Sequence, residues 1–552
     1  MRPISSFLLL LLLAVLPARA QRETDRVFNV REFGATGDGI ANDRAAIQRV
    51  VDSCSVGGGT VLFPAGKYLT GSIDLGSDVA LQIQQGAVIL GSPRLEDYVE
   101  RRPALKSYND LFLKYSLFYA EGKSNITIRG EGTIDGQGSA FPVTTKEKPA
   151  RYMNRPFVLR FVECRNITVT GVTLRNSAMW MQHYLACDGL MIRGIRVWNH
   201  ANQNNDMMDI DGCRNVVISD CIGDTEDDAI TLKSTSPRVT ENVTITNCVI
   251  SSHCNAVKTG TESTGGFRNI TISNIVVTPS ANRVAKVGYP AGISGITLAT
   301  VDGGILERIS VSNCIIEGPQ VPVFIRLGNR ARKHSPDAAS PGVGTLRDIS
   351  ISDITAVAGG PTGCSISGIP GHPASGIRLR NITITFPGGG TKIDAAREPD
   401  EAVDQYPEGT HWGSLPAYGF YLRHAIDLDL TSVTLRCSAP DLRPAIVASD
   451  VADLRITGLR APGWDGMESL IRFANVREAT VQGSTCLTPV DCFLSVSGGS
   501  GRIGLLSNDC SLARVPVRSD STSVVRMEGN LLGGEAAYKS GPSVDPREKG
   551  QR

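Results

Sequence analysis

Asn242-Val243-Thr244-Ile245 and Asn269-Ile270-Thr271-Ile272 are two copies of a four-residue pattern that recurs along the chain. In its most regular part, copies or close variants begin at residues 166, 189, 215, 242 and 269, in steps of 23, 26, 27 and 27. Alternating apolar and hydroxyl side chains predict strands with Ile and Val inside and Thr outside. A fixed period of strands and turns, with almost no helical pattern between them, is typical of a parallel β-helix.

Asparagine opens most copies of the pattern. It tolerates the left-handed backbone conformation, and in a solenoid it can form a ladder with the asparagines above and below. A β-propeller is the alternative fold, but it requires four-stranded units of about 40 residues with tryptophan signatures. The chain has four Trp, and they do not follow the repeat. The predicted fold class is therefore all-β, a parallel β-helix.

The two ends of the chain differ from the repeat. Residues 1–20 predict a signal peptide, with an apolar run before the small-x-small pattern Ala18-Arg19-Ala20, so the protein is expected to be exported to the periplasm or the extracellular space. Asn42 can cap a helix over about 43–53, which is expected to cover the open end of the solenoid. Residues 21–528 contain no linker and form one predicted domain, and the polar residues 529–552 are predicted to be disordered.

Composition limits the classes of partner to be expected. The formal net charge is +1, so the chain lacks the basic excess that would indicate nucleic acid or a membrane surface as a partner. The 13 cysteines are an odd number for an exported chain, and several fall at strand ends as small core residues. Cys486 and Cys492 are the best placed for a local disulfide, and the spacing for a cysteine zinc site is absent. No metal ion or other cofactor is predicted, and a monomer is expected.

Two short acidic blocks, residues 204–211 and 225–230, interrupt the apolar pattern. Asp206 and Asp227 are 21 residues apart, close to one coil of the solenoid, so the Asp227-Asp228 pair is predicted to stack on Asp206 at about 4.8 Å. Like charges at that distance raise at least one pKa, which fits acid/base catalysis with one protonated acid beside ionised neighbours. A calcium site or a solvated acidic edge is the alternative.

These residues resemble glycoside hydrolase family 28, which contains the polygalacturonases and rhamnogalacturonases. The resemblance rests on Asn205-Asp206 with Asp209, on Asp227-Asp228, on the opening 33–39 and 63–68, and on 260–263. It implies a right-handed parallel β-helix that hydrolyses a pectic polysaccharide or oligosaccharide with inversion. It further implies that Asp227 is the general acid and that Asp206 and Asp228 activate water.

The chain departs from the family at several positions. Glu226 stands where the family has glycine before the two aspartates, and Met207 replaces the glycine after the first. The histidine of the family's Gly-His-Gly falls on Asn255, while His253 is predicted by strand alternation to share its face. The Arg-Ile-Lys motif is replaced by residues 296–298. Plain polygalacturonate is therefore a doubtful substrate, and rhamnogalacturonan or another uronate-containing glycan is the substitute.

Five residues are predicted to bind substrate. Lys258 follows the catalytic turns and can pair with a uronate carboxylate, although a solvated lysine on the solenoid face explains it equally well. The others are Asn205, His253, Asn255 and Arg326. Trp180 is either a sugar platform or a packed aromatic. Two rival functions remain at this point: a calcium-dependent pectate lyase-like enzyme and a non-catalytic glycan-binding β-helix.

Overall fold

Parallel strand pairing defines the architecture of this computed structural model, which describes residues 26–533. In this part of the chain all pairings between the named strands are parallel. The first coils contain β1 Val27–Asn29, β2 Asp38–Asn42, β3 Gly59–Phe63, β4 Gly66–Thr70, β5 Ile73–Asp74, β6 Val79–Ile83, β7 Ala87–Gly91, β8 Ser116–Glu121, β9 Ser124–Gly130, β10 Thr133–Asp135, β11 Phe157–Val162, β12 Arg165–Thr170 and β13 Thr173–Arg175. The middle coils contain β14 Gln182–Leu185, β15 Asp188–Arg193, β16 Arg196–Asn199, β17 Met208–Asp211, β18 Arg214–Ser219, β19 Ile222–Thr225, β20 Ile230–Ser234, β21 Thr240–Ser252, β22 Asn255–Ser263, β23 Phe267–Val277, β24 Ser294–Thr300, β25 Ile305–Glu317 and β26 Val321–Leu327. The last coils contain β27 Thr345–Val357, β28 Cys364–Ser367, β29 Ala374–Phe386, β30 Phe420–Cys437, β31 Ile446–Thr457, β32 Arg460–Ala461, β33 Ile471–Gln482, β34 Thr485–Cys486, β35 Val490–Ser497, β36 Gly501–Leu506, β37 Asp509–Cys510, β38 Ala513–Ser519, β39 Val525–Glu528 and β40 Leu531–Leu532.

The repeat identified in the sequence forms one continuous column of strands. Ile167 of β12 pairs with Leu190 of β15, Leu190 pairs with Val216 of β18, and Val216 pairs with Val243 of β21. Each of these four side chains is at most 1 % exposed. Identical register from coil to coil therefore places apolar side chains above one another, and their burial is the main stabilising contribution to the core. The predicted parallel β-helix is confirmed.

Helices are rare in the described residues. An α-helix, α1, spans Arg44–Ser55, where the sequence predicts one over about 43–53, and it buries an apolar face that includes Ile47 and Val51. Its N-cap residue is Asp43, while the predicted cap Asn42 accepts a hydrogen bond from the Arg44 amide. A short α2 covers Lys392–Ala395, and the 3-10 helices are Val30–Phe33, Leu95–Asp97, Asn109–Leu111, Gly138–Ala140 and Ala150–Tyr152. Within 26–533, no helix has the length and apolar character of a membrane span.

The two predicted terminal segments are described only in part. The predicted signal peptide, residues 1–20, lies outside the described residues. At the other end β40 pairs with β37, a few residues past the domain boundary predicted at 528. The rest of the tail predicted to be disordered, 534–552, is also outside the described residues.

All 13 cysteines are free thiols, so the predicted Cys486–Cys492 disulfide is wrong. The thiols of these two cysteines each have a backbone acceptor instead. The Cys486 Sγ donates to the Thr488 carbonyl at 2.9 Å, and the Cys492 Sγ donates to the Leu494 carbonyl at 3.3 Å. Both side chains are buried and act as small core residues.

The asparagine ladder predicted from the repeat is present. Asn215, Asn242 and Asn269 have φ values of 59°, 56° and 57°. The Asn242 side-chain amide donates to the Asn215 Oδ1 at 3.1 Å, and that of Asn269 donates to the Asn242 Oδ1 at 2.9 Å. Asn242 therefore combines a left-handed backbone conformation, which few residues tolerate, with hydrogen bonds to the asparagines of the coils before and after it.

Asn242→Val is expected to destabilise the protein, because a β-branched residue in the left-handed region is strained by about 1–3 kcal/mol and the ladder hydrogen bonds are lost. Asn242→Gly is the matched control, since glycine loses the same hydrogen bonds without the strain. The midpoint of urea unfolding should fall further for the valine variant than for the glycine variant. Equal midpoints for the two variants would contradict a strained position.

Candidate active site

Three strands from consecutive coils form the base of the candidate site. β17 pairs with β20, and β20 pairs with β22, so that Asp209, Thr231 and Lys258 lie in one row. Asp206 precedes β17, and Asp227 and Asp228 precede β20. The Met207 amide donates to the Asp228 carbonyl at 3.0 Å, which links the two acidic turns directly. Met208 pairs with Ile230, so one coil here is 22 residues, one more than the step from Asp206 to Asp227, and the two acidic turns are neighbours as predicted.

The acidic turns open into a cleft that combines carboxylates, cations and aromatic rings. Aromatic rings provide the faces against which a sugar can stack, and the cations balance the acidic floor. The lining residues are Tyr108, Asn109, Phe112, Leu113, Lys148, Tyr152, Met179, Trp180, Asn204, Asp206, Asp227, Asp228, Lys233, Glu262, Arg332 and Tyr406.

Asp227 is positioned by hydrogen bonds to its backbone carbonyl and by one side-chain donor to its carboxyl group. Its backbone carbonyl accepts hydrogen bonds from the Thr225 hydroxyl at 2.8 Å and the Ser252 hydroxyl at 2.7 Å. Its carboxyl Oδ2 accepts from the Asn204 side-chain amide at 3.3 Å. Burial raises the pKa of Asp227, and the adjacent Asp228 carboxylate raises it further. The geometry therefore favours a protonated Asp227 in the cleft.

Asp228 is surrounded by donors. Its Oδ1 accepts from the Asn255 amide at 3.1 Å and from the Asn255 side chain at 2.6 Å, and its Oδ2 accepts from the Lys258 Nζ at 2.9 Å. The Asn255 Oδ1 is itself fixed by the Thr297 hydroxyl at 2.9 Å. Asp228 is therefore the member of the trio that is held by a cation and by two donors from Asn255.

Asp206 completes the trio. The side chain is 2 % exposed, and its buried Oδ1 has no hydrogen-bond partner among residues 26–533. Burial raises the pKa of Asp206 well above its usual range, and the Asp209 and Asp227 carboxyls add to the effect. Asp209, the second residue of β17, is fully buried, and its Oδ1 lies 3.5 Å from the Lys233 Nζ. Asp206 also lines the cleft, so its carboxyl group lies where it can contact a water or a sugar hydroxyl.

Lys258 does not occupy the position predicted for a substrate-binding lysine. It is 1 % exposed, and besides Asp228 its Nζ donates to the Tyr406 hydroxyl at 3.2 Å and the Glu408 Oε1 at 3.3 Å. Burial raises the pKa of Glu408 to about 7, while the Lys258 cation lowers it. The charge of Lys258 is already compensated within the protein, so we assign it to holding Asp228 and not to gripping a uronate.

Three further predicted binding residues are held away from the cleft. The Asn205 side-chain amide donates to the carbonyls of Ser177 and Met179, at 2.8 and 2.9 Å, and braces the turn. His253 is fully buried and does not share the face of Asn255, because the strand begins only at Asn255 and the alternation does not extend back through the turn. Arg326 donates to the carbonyls of Gly368, Glu401 and Ala402 and lies over the Trp412 ring.

The structure also brings in residues that the sequence analysis missed. Asn204, one position before the predicted Asn205, contacts Asp227, and the Arg155 guanidinium fixes its side-chain oxygen at 3.0 Å. Tyr406 and Glu408 arrive from a loop about 150 residues downstream, which no local pattern connects to the site. Lys233 has a local signal, because it lies on the strand directly after the two aspartates.

The cationic side chains that line the cleft differ in their exposure and in the ion pairs that they form. Lys233 is 5 % exposed and is fixed between Asp209 and Glu262. Arg332 lies over the Tyr108 ring with its Cζ 4.1 Å from the centroid, and its Nη1 donates to the Glu262 Oε1 at 2.8 Å. Lys148 is exposed and forms no ion pair within residues 26–533. Lys148 and Arg332 are therefore the cations best placed to meet an acidic substrate.

Three carboxyl groups on two stacked turns of a parallel β-helix form an arrangement that acid/base cleavage of a glycosidic bond can use. Residues 67–401 match the family described as "Glycosyl hydrolases family 28". The chain therefore belongs to glycosyl hydrolases family 28, a family of glycosidases.

Curated relatives point in the same direction. A probable polygalacturonase of Vitis vinifera is 31% identical over 214 residues, which cover 37% of this chain and 43% of the relative. An exo-poly-alpha-D-galacturonosidase of Dickeya chrysanthemi is 26% identical over 251 residues, which cover 37% of this chain and 41% of the relative. The chain thus spans less than half the length of these relatives.

Solved structures share the fold. An exopolygalacturonase from Thermotoga maritima has a TM-score of 0.54 at 23% identity, over 66% of this chain and 87% of the other. A tailspike protein mutant of E. coli bacteriophage HK620 has a TM-score of 0.53 at 15% identity, over 88% of this chain and 83% of the other. The architecture is the right-handed parallel β-helix predicted from the sequence.

Proposed function

We propose that the protein is an exported glycosidase that hydrolyses a uronate-containing, pectic polysaccharide or oligosaccharide with inversion at the anomeric carbon. The observation that carries the proposal is the meeting of Asp206, Asp227 and Asp228 in one cleft that also holds Lys148 and Arg332. Polygalacturonase relatives support the substrate class. The apolar segment within residues 1–20 supports export.

In the proposed mechanism Asp227 protonates the glycosidic oxygen as the leaving group departs. Its raised pKa keeps the proton available, and Asn204 orients its carboxyl group. Asp228, held by Lys258, accepts a proton from the attacking water, and Asp206, which lines the same cleft, holds that water in place. The water attacks the face of the sugar opposite the leaving group, which inverts the anomeric configuration.

A calcium-dependent lyase fits the same residues less well. Asp227, Asp228 and Cys254 offer three possible ligand atoms within 4.8 Å of one another. Burial raises the pKa of the Cys254 thiol well above its usual range, so the sulfur is neutral, and calcium binds oxygen ligands. Lys258 also compensates Asp228, which leaves less negative charge for a divalent cation.

Hydrolysis of purified pectic fractions tests the proposed function. Polygalacturonate, rhamnogalacturonan and their carboxyl-reduced forms should be incubated with the full chain and with Asp227→Asn, and reducing ends should be counted. New reducing ends on at least one acidic fraction, dependent on Asp227, are expected. Products that absorb as unsaturated uronates and disappear with a chelator would indicate a lyase, and binding without cleavage would indicate a non-catalytic protein.

Arg332→Ala is expected to raise KM for the acidic substrate several-fold and to change kcat little, because the guanidinium lies in the cleft and contacts no member of the acidic trio. The carboxyl-reduced substrate serves as the internal control, since it offers no anion. An equal rise of KM on both substrates would show that Arg332 shapes the cleft without binding a carboxylate.

A further inference from the structure

A second polar cluster lies at one corner of three consecutive coils. His200, Glu226 and His253 each follow directly after a strand, namely β16, β19 and β21. The Glu226 amide donates to the Asn199 carbonyl at 2.9 Å, and the His253 amide donates to the Thr225 carbonyl at 3.0 Å. The three residues therefore stack in register. All are nine-tenths or more buried.

Hydrogen bonds on the outer side of the cluster fix both imidazole tautomers. The His253 Nε2 lies 2.7 Å from the Asn282 carbonyl, which can only accept, so this nitrogen carries the proton. The His200 Nε2 lies 2.9 Å from the Asp224 Oδ1. The same carboxyl group accepts hydrogen bonds from the Ser280 hydroxyl at 2.6 Å and the Ala281 amide at 2.8 Å, so Asp224 acts as the acceptor toward His200.

On the inner side three acceptors converge. The Nδ1 atoms of His200 and His253 lie 3.4 and 3.2 Å from the same oxygen, Glu226 Oε2. The other oxygen of Glu226 accepts from the backbone amides of Lys286 and Val287. With neutral imidazoles, three lone pairs face one another in a buried space. Such an arrangement is stable only with positive charge between the three atoms, which either protons on the imidazoles or a metal ion can supply.

The spacing and chemistry of the three atoms favour a transition metal. Bonds of about 2.0–2.1 Å to zinc at tetrahedral angles separate two ligand atoms by about 3.3–3.4 Å, close to the two spacings here. All three atoms lie within 4.8 Å of one another. Two imidazoles with one carboxylate suit zinc better than calcium or magnesium, which prefer oxygen ligands.

The surroundings have the form of an outer shell of a metal site. Metal-binding histidines donate their second N–H to a carboxylate or a backbone carbonyl, as His200 and His253 do here. The cation would also balance the carboxylates of the half-buried Asp224 and the buried Glu226. Its ligands would join three coils to the loop that contains Asn282.

We propose that His200, Glu226 and His253 form a zinc-binding site that joins three coils of the solenoid next to the acidic trio. The two histidine Nδ1 atoms and the Glu226 Oε2 provide three ligands, and a water completes the tetrahedron. The site is structural: it fixes the turn that leads into Asp227 and takes no part in bond cleavage. The proposal does not depend on the proposed substrate.

The test uses the full chain, exposed to Zn²⁺ and then passed through a desalting column. Metal analysis should find one zinc per chain in the wild type, and cobalt substitution should give the visible absorption of tetrahedral Co²⁺. Both signals should be lost in His253→Ala and Glu226→Gln. His372→Ala, a change at an exposed histidine, should leave them unchanged. Asp224→Asn, in the outer shell, should weaken zinc binding by about 10–100-fold.

Two results would overturn the proposal. The first is a folded wild type that retains no zinc and binds it no more tightly than His253→Ala does, in which case protons on both imidazoles satisfy Glu226. The second is zinc binding that persists in both ligand variants, which would place the ion elsewhere. Metal content and cobalt absorption are measured without any activity assay, so an inactive protein does not affect the outcome.

Discussion

Asp227→Asn is expected to lower kcat on a natural pectic glycan by about 10²–10⁴-fold, the range that one general acid contributes. Asparagine keeps the shape of the side chain and its contact with Asn204 but has no acidic proton to give. An aryl glycoside, whose leaving group needs little protonation, should lose much less. The ratio of the two losses measures the acid role. Steady-state kinetics on both substrates provides the measurement.

The matched control for this variant is Asp220→Asn. Asp220 is an exposed acid that pairs with Arg193 at 3.0 Å and does not line the cleft, so its loss should leave both rates unchanged. Near wild-type hydrolysis of the natural glycan by Asp227→Asn would contradict the assignment. Equal losses on both substrates would assign Asp227 to the water instead of the leaving group.

The pH dependence of the hydrolysis rate also tests whether Asp227 is the general acid. Because Asp227 acts in its protonated form, its raised pKa extends activity toward higher pH, and the rate should fall as the pH rises through that value. The Lys258 cation lowers the pKa of Asp227. Loss of that cation should therefore move the alkaline limb of the profile to higher pH.

Lys258→Met is expected to lower kcat by about 10²-fold with little change in KM, because Asp228, the proposed base, loses the cation that holds its carboxyl group in place. The variant should also be destabilised, since removal of one partner from a buried ion pair costs about 3–5 kcal/mol. Lys258→Met combined with Asp228→Asn removes both charges, and it should recover part of the stability but none of the activity. Kinetics and urea unfolding measure the two effects.

Lys123→Met, a change at an exposed lysine, is the control for Lys258→Met and should alter neither quantity. The sequence alone predicts a different result, in which Lys258 grips a uronate and its loss raises KM for acidic substrates. An unchanged kcat with a raised KM on the acidic substrate alone would therefore contradict the structural assignment of Lys258 and restore the one based on sequence.

The fold and the acidic trio could be predicted because both depend on the period of the chain. The 21-residue step from Asp206 to Asp227 is one residue short of the 22-residue coil formed by β17 and β20, so the spacing predicts that the two acidic turns are neighbours. The structure places the two acidic turns as the spacing predicts. The catalytic roles of the three aspartates remain predictions that the variants above test.

The supporting residues could not be predicted, for two physical reasons. Strand alternation predicts that His253 shares the face of Asn255, but the strand begins only at Asn255, and the His253 imidazole contacts Glu226. The loop that carries Tyr406 and Glu408 reaches the site through tertiary packing, which periodicity does not encode. Lys258 was singled out correctly as a residue near the site, but its partners come from that loop and from Asp228.

The most direct test of the account is the anomeric configuration of the first product. Proton NMR should follow a uronate oligosaccharide that the wild type cleaves, on a timescale faster than mutarotation. The account predicts that the new reducing end appears first with the configuration opposite to that of the cleaved bond, because Asp206 and Asp228 direct water to the far face. A new reducing end that first appears with the original configuration, or an unsaturated product, would contradict it.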